Sequence, residues 1–149
     1  MADQFAYLDT SVIAPLYRPE ALTEAAEALQ QQYKPVISLL TEVELASTIA
    51  RWVRTEEMSE EHAVLAEKTF ADDLRLNVFE RTVLDDRHYW QARTWLQRRN
   101  TSLRTLDALH LAVAAENDWS IITADKRLHQ AATSLGCPSQ LIHGKEEAV

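Results

Sequence analysis

Ser120-Ile121-Ile122-Thr123-Ala124-Asp125-Lys126-Arg127-Leu128 is a short apolar run, then an acid, then the start of a helical pattern. The run is too brief for a helix and reads as a buried parallel strand. The helical pattern extends over residues 125–135 and stops before Gly136, a natural helix terminator. The same unit opens the chain, where Phe5-Ala6-Tyr7-Leu8 is followed by Asp9. Three more short runs read as strands: residues 36–38, 76–79 and 140–143. Pro35, just before the second of the five, is tolerated at a strand start.

Helical segments lie between these runs, over residues 20–32, 42–54, 59–74, 83–99 and 105–118. In the first, Leu22, Ala25, Ala26 and Leu29 share a face. The third opens with Ser59 and His62 in the spacing of a capping box, with His in the acidic position. Strands alternating with helices predict an α/β fold with a mostly parallel sheet of about five strands. Such sheets place ligand sites at the C-terminal ends of their strands.

Bulk composition agrees and narrows the function. The 149 residues, 46 % hydrophobic and 26 % charged, predict one globular domain over residues 1–149. Two glycines and no phosphate-cradling glycine motif leave nucleotide-loop chemistry without support. The one cysteine, Cys137, excludes an internal disulfide and a cysteine-held zinc, and fits a reducing cytoplasm. Residues 1–12 lack a basic stretch followed by a long apolar run, so no signal peptide is expected. No apolar stretch nears the roughly 18 residues a membrane span needs. The net charge of −8 argues against broad nucleic-acid binding unless the acids surround a cation, and it suits a basic partner.

Four carboxylates fall where the sheet rule looks for a site. Asp9 follows the first strand, Glu44 sits one turn into the helix after the second, Asp107 opens an apolar helix, and Asp125 follows the fourth strand. Each has a structural explanation. Asp9 can hydrogen-bond the turn after it. Thr41 and Glu44 have the spacing of a capping box, and Asp125 can cap its helix. Asp107 has the helix dipole in its favour. Yet its helix carries Leu103, Leu106, Leu109 and Val113 on one side and Ala108, Leu111, Ala112 and Ala115 on much of the rest. A helix apolar nearly all round is buried, and a carboxylate there is costly unless paired or metal-bound. Four converging carboxylates repel and need a counter-charge. A hard divalent cation, Mg²⁺ or Mn²⁺, supplies it and suits phosphodiester hydrolysis.

Four stretches in order carry a resemblance: Tyr7-Leu8-Asp9-Thr10-Ser11-Val12, Val43-Glu44-Leu45-Ala46-Ser47, Leu103-Arg104-Thr105-Leu106-Asp107-Ala108-Leu109-His110-Leu111-Ala112, and Ile122-Thr123-Ala124-Asp125-Lys126-Arg127-Leu128. The chain resembles the PIN domain, and within it the VapC-like ribonuclease toxins of type II toxin–antitoxin systems, over residues 5–143. The resemblance implies a three-layer α/β/α fold and Mg²⁺- or Mn²⁺-dependent cleavage of single-stranded RNA. It implies that Asp9, Glu44, Asp107 and Asp125 form the metal site, supported by the hydroxyls of Thr10, Ser11 and Thr123. No second acid flanks Asp125 to fill out a second metal site, and Glu42 is left as a surface residue. The resemblance also implies a cognate antitoxin, whose C-terminal segment would enter a groove between helices, and a homodimer in the cytoplasm.

Other residues weigh less. His110 shares a helix face with Asp107 and reads as a core or supporting histidine rather than a ligand. Trp52, Trp90, Trp95 and Trp119 read as packing or dimer contacts rather than base-stacking platforms. Arg51 and Arg54 follow Glu44 on its helix. Arg98 and Arg99 read as a solvated helix end. Arg104, Lys126 and Arg127 adjoin the acids in sequence and are the better candidates for phosphate contacts. Two readings compete with the nuclease. One is a non-catalytic PIN-like module that binds RNA or protein. The other is a small-ester phosphatase with Asp9 as nucleophile, which Asp9-Thr10-Ser11 disfavours by lacking a second acid two residues on.

Overall fold

The structure, a computed structural model, describes residues 4–144. Residues 1–3 and 145–149, where both expected domain bounds and the start of the leader reading fall, lie outside the described residues. Five strands form one sheet: β1 Phe5–Leu8, β2 Lys34–Ser38, β3 Glu80–Thr82, β4 Ser120–Thr123 and β5 Ser139–Leu141. Every pairing is parallel and the order is β3-β2-β1-β4-β5. The helices are α1 Thr10–Ile13, α2 Thr23–Gln32, α3 Leu39–Arg54, α4 Glu60–Arg75, α5 Asp86–Arg98, α6 Thr105–Glu116 and α7 Lys126–Ser134. A 3-10 turn, Ala14–Leu16, extends α1.

Side-chain alternation along the strands divides the core into two layers. Ala6, Leu8, Ile37 and Ile122 meet Val12, Ala26, Ile49, Trp52 and Phe70 from α1 to α4. Tyr7, Val36 and Ile121 meet Trp95, Leu111, Val113 and Leu128 from α5 to α7. The expected three-layer α/β/α fold is therefore present. Among the described residues no helix is long and apolar enough to cross a membrane.

The third strand differs from the sequence reading. Residues 76–79 are a turn, and the strand is Glu80–Thr82. The Leu76 N–H still bonds Asp72 O in the last turn of α4. Asn77 then takes a left-handed backbone at φ 57°, a conformation asparagine tolerates. Phe79 is buried against Phe70, so it packs like a strand residue without being one. The true strand, Glu-Arg-Thr, is an edge with little apolar content, so hydrophobic patterning passes over it.

Other bounds shift for local reasons. Helix α3 begins at Leu39 because Ser38 and Thr41 form the capping box, in place of the expected Thr41–Glu44 box. Glu44 is thereby released for another role. The helix expected from residue 83 begins at Asp86, capped by Asp85. Pro35 lies inside β2 but beyond the register of β3, which starts at Val36, so its missing N–H interrupts no bond on that side.

Candidate active site

Asp9 leaves β1 at the point where the strand order reverses, between β2 on one side and β4 on the other. That crevice, at the C-terminal ends of the strands, is where open parallel sheets hold ligands. Asp9 stands at the cap position of α1 but makes no side-chain cap bond. Its carboxylate instead accepts Ser11 Oγ on Oδ1 at 2.6 Å and Thr123 Oγ1 on Oδ2 at 2.9 Å. Ser11 Oγ also accepts the N–H of Ala124 at 2.9 Å, which ties the start of α1 to the loop after β4. Asp9 is 5 % exposed. Burial pushes its carboxyl up to about 6, against the pull of the Ser11 hydrogen bond, the His110 charge and the Thr123 hydrogen bond, and the Asp107 charge adds to the rise.

Glu44 comes from α3, which packs in the same helical layer as α1. Its Oε1 accepts Thr10 Oγ1 at 2.7 Å and pairs with His110 Nε2. Burial alone would raise its carboxyl, but the His110 hydrogen bond and charge, with the Thr10 bond, hold it below the ordinary value. His110 belongs to α6 and is buried, and its Nδ1 lies 2.6 Å from the buried Tyr7 hydroxyl. Tyr7 Oη also bonds Ser38 Oγ at 2.8 Å. The expected supporting hydroxyls thus divide their work. Ser11 and Thr123 hold Asp9, while Thr10 holds Glu44.

Asp107, half-buried in the first turn of α6, receives no hydrogen bond among the described residues. Burial raises its carboxyl first, then the Asp125 and Glu44 charges, against His110 and Arg104. Asp125 is the N-cap of α7, accepting the N–H groups of Arg127 and Leu128 at 2.9 and 3.4 Å. The capping explanation is correct for Asp125, and it occupies only Oδ1. The four acids thus share one electrostatic neighbourhood. The donor set, four carboxylates, has the chemistry of a hard divalent cation site. As placed, no three His, Cys, Asp or Glu side chains among the described residues form a group that could hold a metal ion.

A groove of about 430 Å³ opens beside Glu44, lined by Thr10, Ser11, Glu44, Ser47, Thr48 and Arg51 among others. Arg104, Lys126 and Arg127 are exposed and stand next to Asp107 and Asp125 in sequence, but they do not line it. Sequence reading weighed Arg51 and passed over Ser47 and Thr48, whose place follows from one helical turn beyond Glu44. It also missed Tyr7 as the partner of His110 and Ser38 as the partner of Tyr7, and no local signal marks them. Of the tryptophans, Trp52 and Trp95 are core, Trp52 lying under the Arg18 guanidinium. Trp119 packs on Phe5, and Trp90 is exposed. Glu42, expected to be a surface residue, is half-buried and is bonded by the Arg81 guanidinium.

The PIN domain family model matches residues 6–133. No curated protein sequence matches the chain. Among solved structures, FitAcB from Neisseria gonorrhoeae is similar at 18 % identity, with 90 % of this chain and 95 % of that chain covered and a TM-score of 0.68. VapBC2 from Rickettsia felis, bound to a DNA fragment from its promoter, matches at 14 % identity, 94 % and 100 % coverage and a TM-score of 0.66. The Mycobacterium tuberculosis toxin VapC20, described as cleaving the sarcin-ricin loop, matches at 23 % identity, 85 % and 94 % coverage and a TM-score of 0.62. At these identities the likeness is one of fold.

Proposed function

Because the chain belongs to the PIN domain family, we propose that it is a metal-dependent endoribonuclease, the toxin of a toxin–antitoxin pair acting in the cytoplasm. The observation that carries this reading is the gathering of the acids at the C-terminal ends of β1 and β4 and the start of α6, close enough that the charges of Asp125 and Glu44 raise Asp107 and that of Asp107 raises Asp9. Such a cluster is held together best by a bound cation. In this reading Asp9, Asp107 and Asp125 hold Mg²⁺ or Mn²⁺, and Glu44 completes the set or orients the attacking water. The ion would supply Lewis-acid polarisation of the phosphoryl group and a more acidic water.

The chain's own residues do the rest. Ser11 and Thr123 present both Asp9 oxygens in fixed directions. Thr10 and His110 hold Glu44 ionised at the edge of the groove. Arg104, Lys126 and Arg127 offer charge to phosphates beside the acids, with Arg51 inside the groove. Water adds to phosphorus and the bond to the 3′ oxygen breaks, leaving a 5′-phosphate and a 3′-hydroxyl. The partners are single-stranded RNA, a cognate antitoxin and a second copy of the chain. Several fold relatives are toxin–antitoxin complexes, which supports the antitoxin.

A binding module without turnover is the second reading. It draws on the side chains as they stand, among which no three described His, Cys, Asp or Glu residues form a ligating group. Purified chain, stripped of any bound partner, is incubated with a labelled single-stranded RNA panel in Mg²⁺, Mn²⁺ or EDTA, beside Asp107→Asn. Metal-dependent cleavage lost in the variant establishes the nuclease. A folded protein that neither cleaves nor binds metal leaves the binding module.

A further inference from the structure

Glu44 is bonded on one oxygen only. Thr10 Oγ1 and His110 Nε2 both meet Oε1, and no hydrogen bond among the described residues reaches Oε2. A carboxylate can only accept, so Nε2 of His110 carries the proton in that contact. Its other ring nitrogen is 2.6 Å from Tyr7 Oη, which is itself 2.8 Å from Ser38 Oγ. Tyr7 and His110 are 0 % and 1 % exposed, so water does not compete for these bonds. The chain Ser38–Tyr7–His110–Glu44 therefore starts at β2, crosses β1, passes through α6 and ends on α3. It bridges the two helical layers across the C-terminal edge of the sheet.

Resting on the nuclease reading, we propose that Tyr7 and His110 are positioning residues that lock Glu44 through Oε1. Oε2 is then the one working oxygen, presented to the groove of Thr10, Ser47, Thr48 and Arg51, where it receives the attacking water. A carboxylate on a helix otherwise turns freely about its terminal bond. Two donors on the same oxygen remove that freedom. The imidazole is in turn prevented from rotating by the Tyr7 hydroxyl behind it, the logic by which second partners orient functional histidines. Ser47 and Thr48 share the helix with Glu44 and move with it, so the groove keeps its shape around Oε2.

The test combines a spectroscopic and a kinetic reading on the full chain. In ¹⁵N-histidine-labelled protein without metal, His110 should show a protonated, exchange-protected Nε2 with a strongly deshielded proton, and Glu44→Gln should move that proton upfield. An unprotonated Nε2 overturns the proposal. On RNA, Tyr7→Phe and His110→Gln should each lower kcat about ten- to a hundredfold, the scale of misplacing a reacting group, with KM unchanged. The double variant should lose no more than His110→Gln alone, because the two act through one chain. Additive losses, or full kcat in a Tyr7→Phe protein, overturn it. If Tyr7→Phe melts early, the comparison is made at a temperature where its amide spectrum matches the parent's. A parent that shows the Nε2 signature yet cleaves no RNA refutes the nuclease reading while supporting the lock on Glu44.

Discussion

Thr123 Oγ1 donates to Asp9 Oδ2 over 2.9 Å and accepts the backbone N–H of Asp125 over the same distance. One fully buried hydroxyl therefore sets the spacing of two of the four acids, one after β1 and one after β4. Thr123→Val keeps the shape and removes both bonds. It leaves a buried carboxylate oxygen and a backbone N–H unpaired, at a cost of about 1–3 kcal/mol. Urea unfolding should show that loss, and Thr123→Ser should recover most of it. A valine variant as stable as the parent would deny Thr123 this role.

Asp9 titrates near 3.8 when unfolded and near 6 in the metal-free fold, where burial favours its neutral form. The folded state therefore holds the proton more tightly. The stability this contributes is present below about pH 4 and is lost as pH rises through about 6, an effect of about 3 kcal/mol. Glu44, held below its ordinary 4.5, acts in the opposite sense, losing its contribution as pH falls through its lowered value. Unfolding free energies in EDTA between pH 4 and 7 should separate them. The parent should lose stability relative to Asp9→Asn as pH rises, and parallel profiles would contradict the shift.

Divalent cation should reverse that loss. At 100-fold excess over its dissociation constant, Mg²⁺ should stabilise the parent by about 2.7 kcal/mol at pH 7.5. It should do much less at pH 5, where protons compete for Asp9. Asp107→Asn should melt no lower than the parent in EDTA, since it relieves repulsion from Asp125 and Glu44, yet gain little from Mg²⁺. Thermal melts at the two pH values read both effects. An equal Mg²⁺ response in the variant would remove Asp107 from the site.

Glu42 and Glu44 are two residues apart and should behave oppositely. Arg81 Nη2 reaches Glu42 Oε2 at 2.8 Å, but the pair is only partly shielded from solvent. Glu42→Gln should cost less than about 1 kcal/mol and leave RNA cleavage intact. Glu44→Gln should abolish cleavage. Matched losses would mean that α3 tolerates neither change, and that the lock on Glu44 explains nothing particular to it.

Most of the fold is readable locally. β1 and β4 are runs of Phe-Ala-Tyr-Leu and Ser-Ile-Ile-Thr, each followed by an acid, and their buried character is written in those residues. β3 is not readable this way. Glu80, Arg81 and Thr82 form a strand because Val36, Ile37 and Ser38 offer them an unpaired edge. Nothing in three polar residues records the presence of that neighbour. Phe79 then misleads, because burial by Phe70 looks the same in sequence whether the backbone is strand or turn. The cap on α3 fails similarly: Ser38 and Thr41 take the positions that Thr41 and Glu44 also fit by spacing.

What the sequence determined by itself was the set of acids and their station. Asp9 and Asp125 follow strands, Asp107 opens a helix and Glu44 lies in the helix after β2, and those are local properties of a parallel sheet. Tertiary structure decided the partner of each carboxylate. Asp9 takes hydroxyls from Ser11, close by in sequence, and from Thr123, on the neighbouring strand but far along the chain. Glu44 takes an imidazole from a helix on the sheet's far side, and that imidazole is backed by a tyrosine from the central strand. Periodicity along a chain reports which face a residue occupies, and carries no information about which face it meets. That is settled when the layers close, because buried polar atoms must then find partners among the few groups within reach.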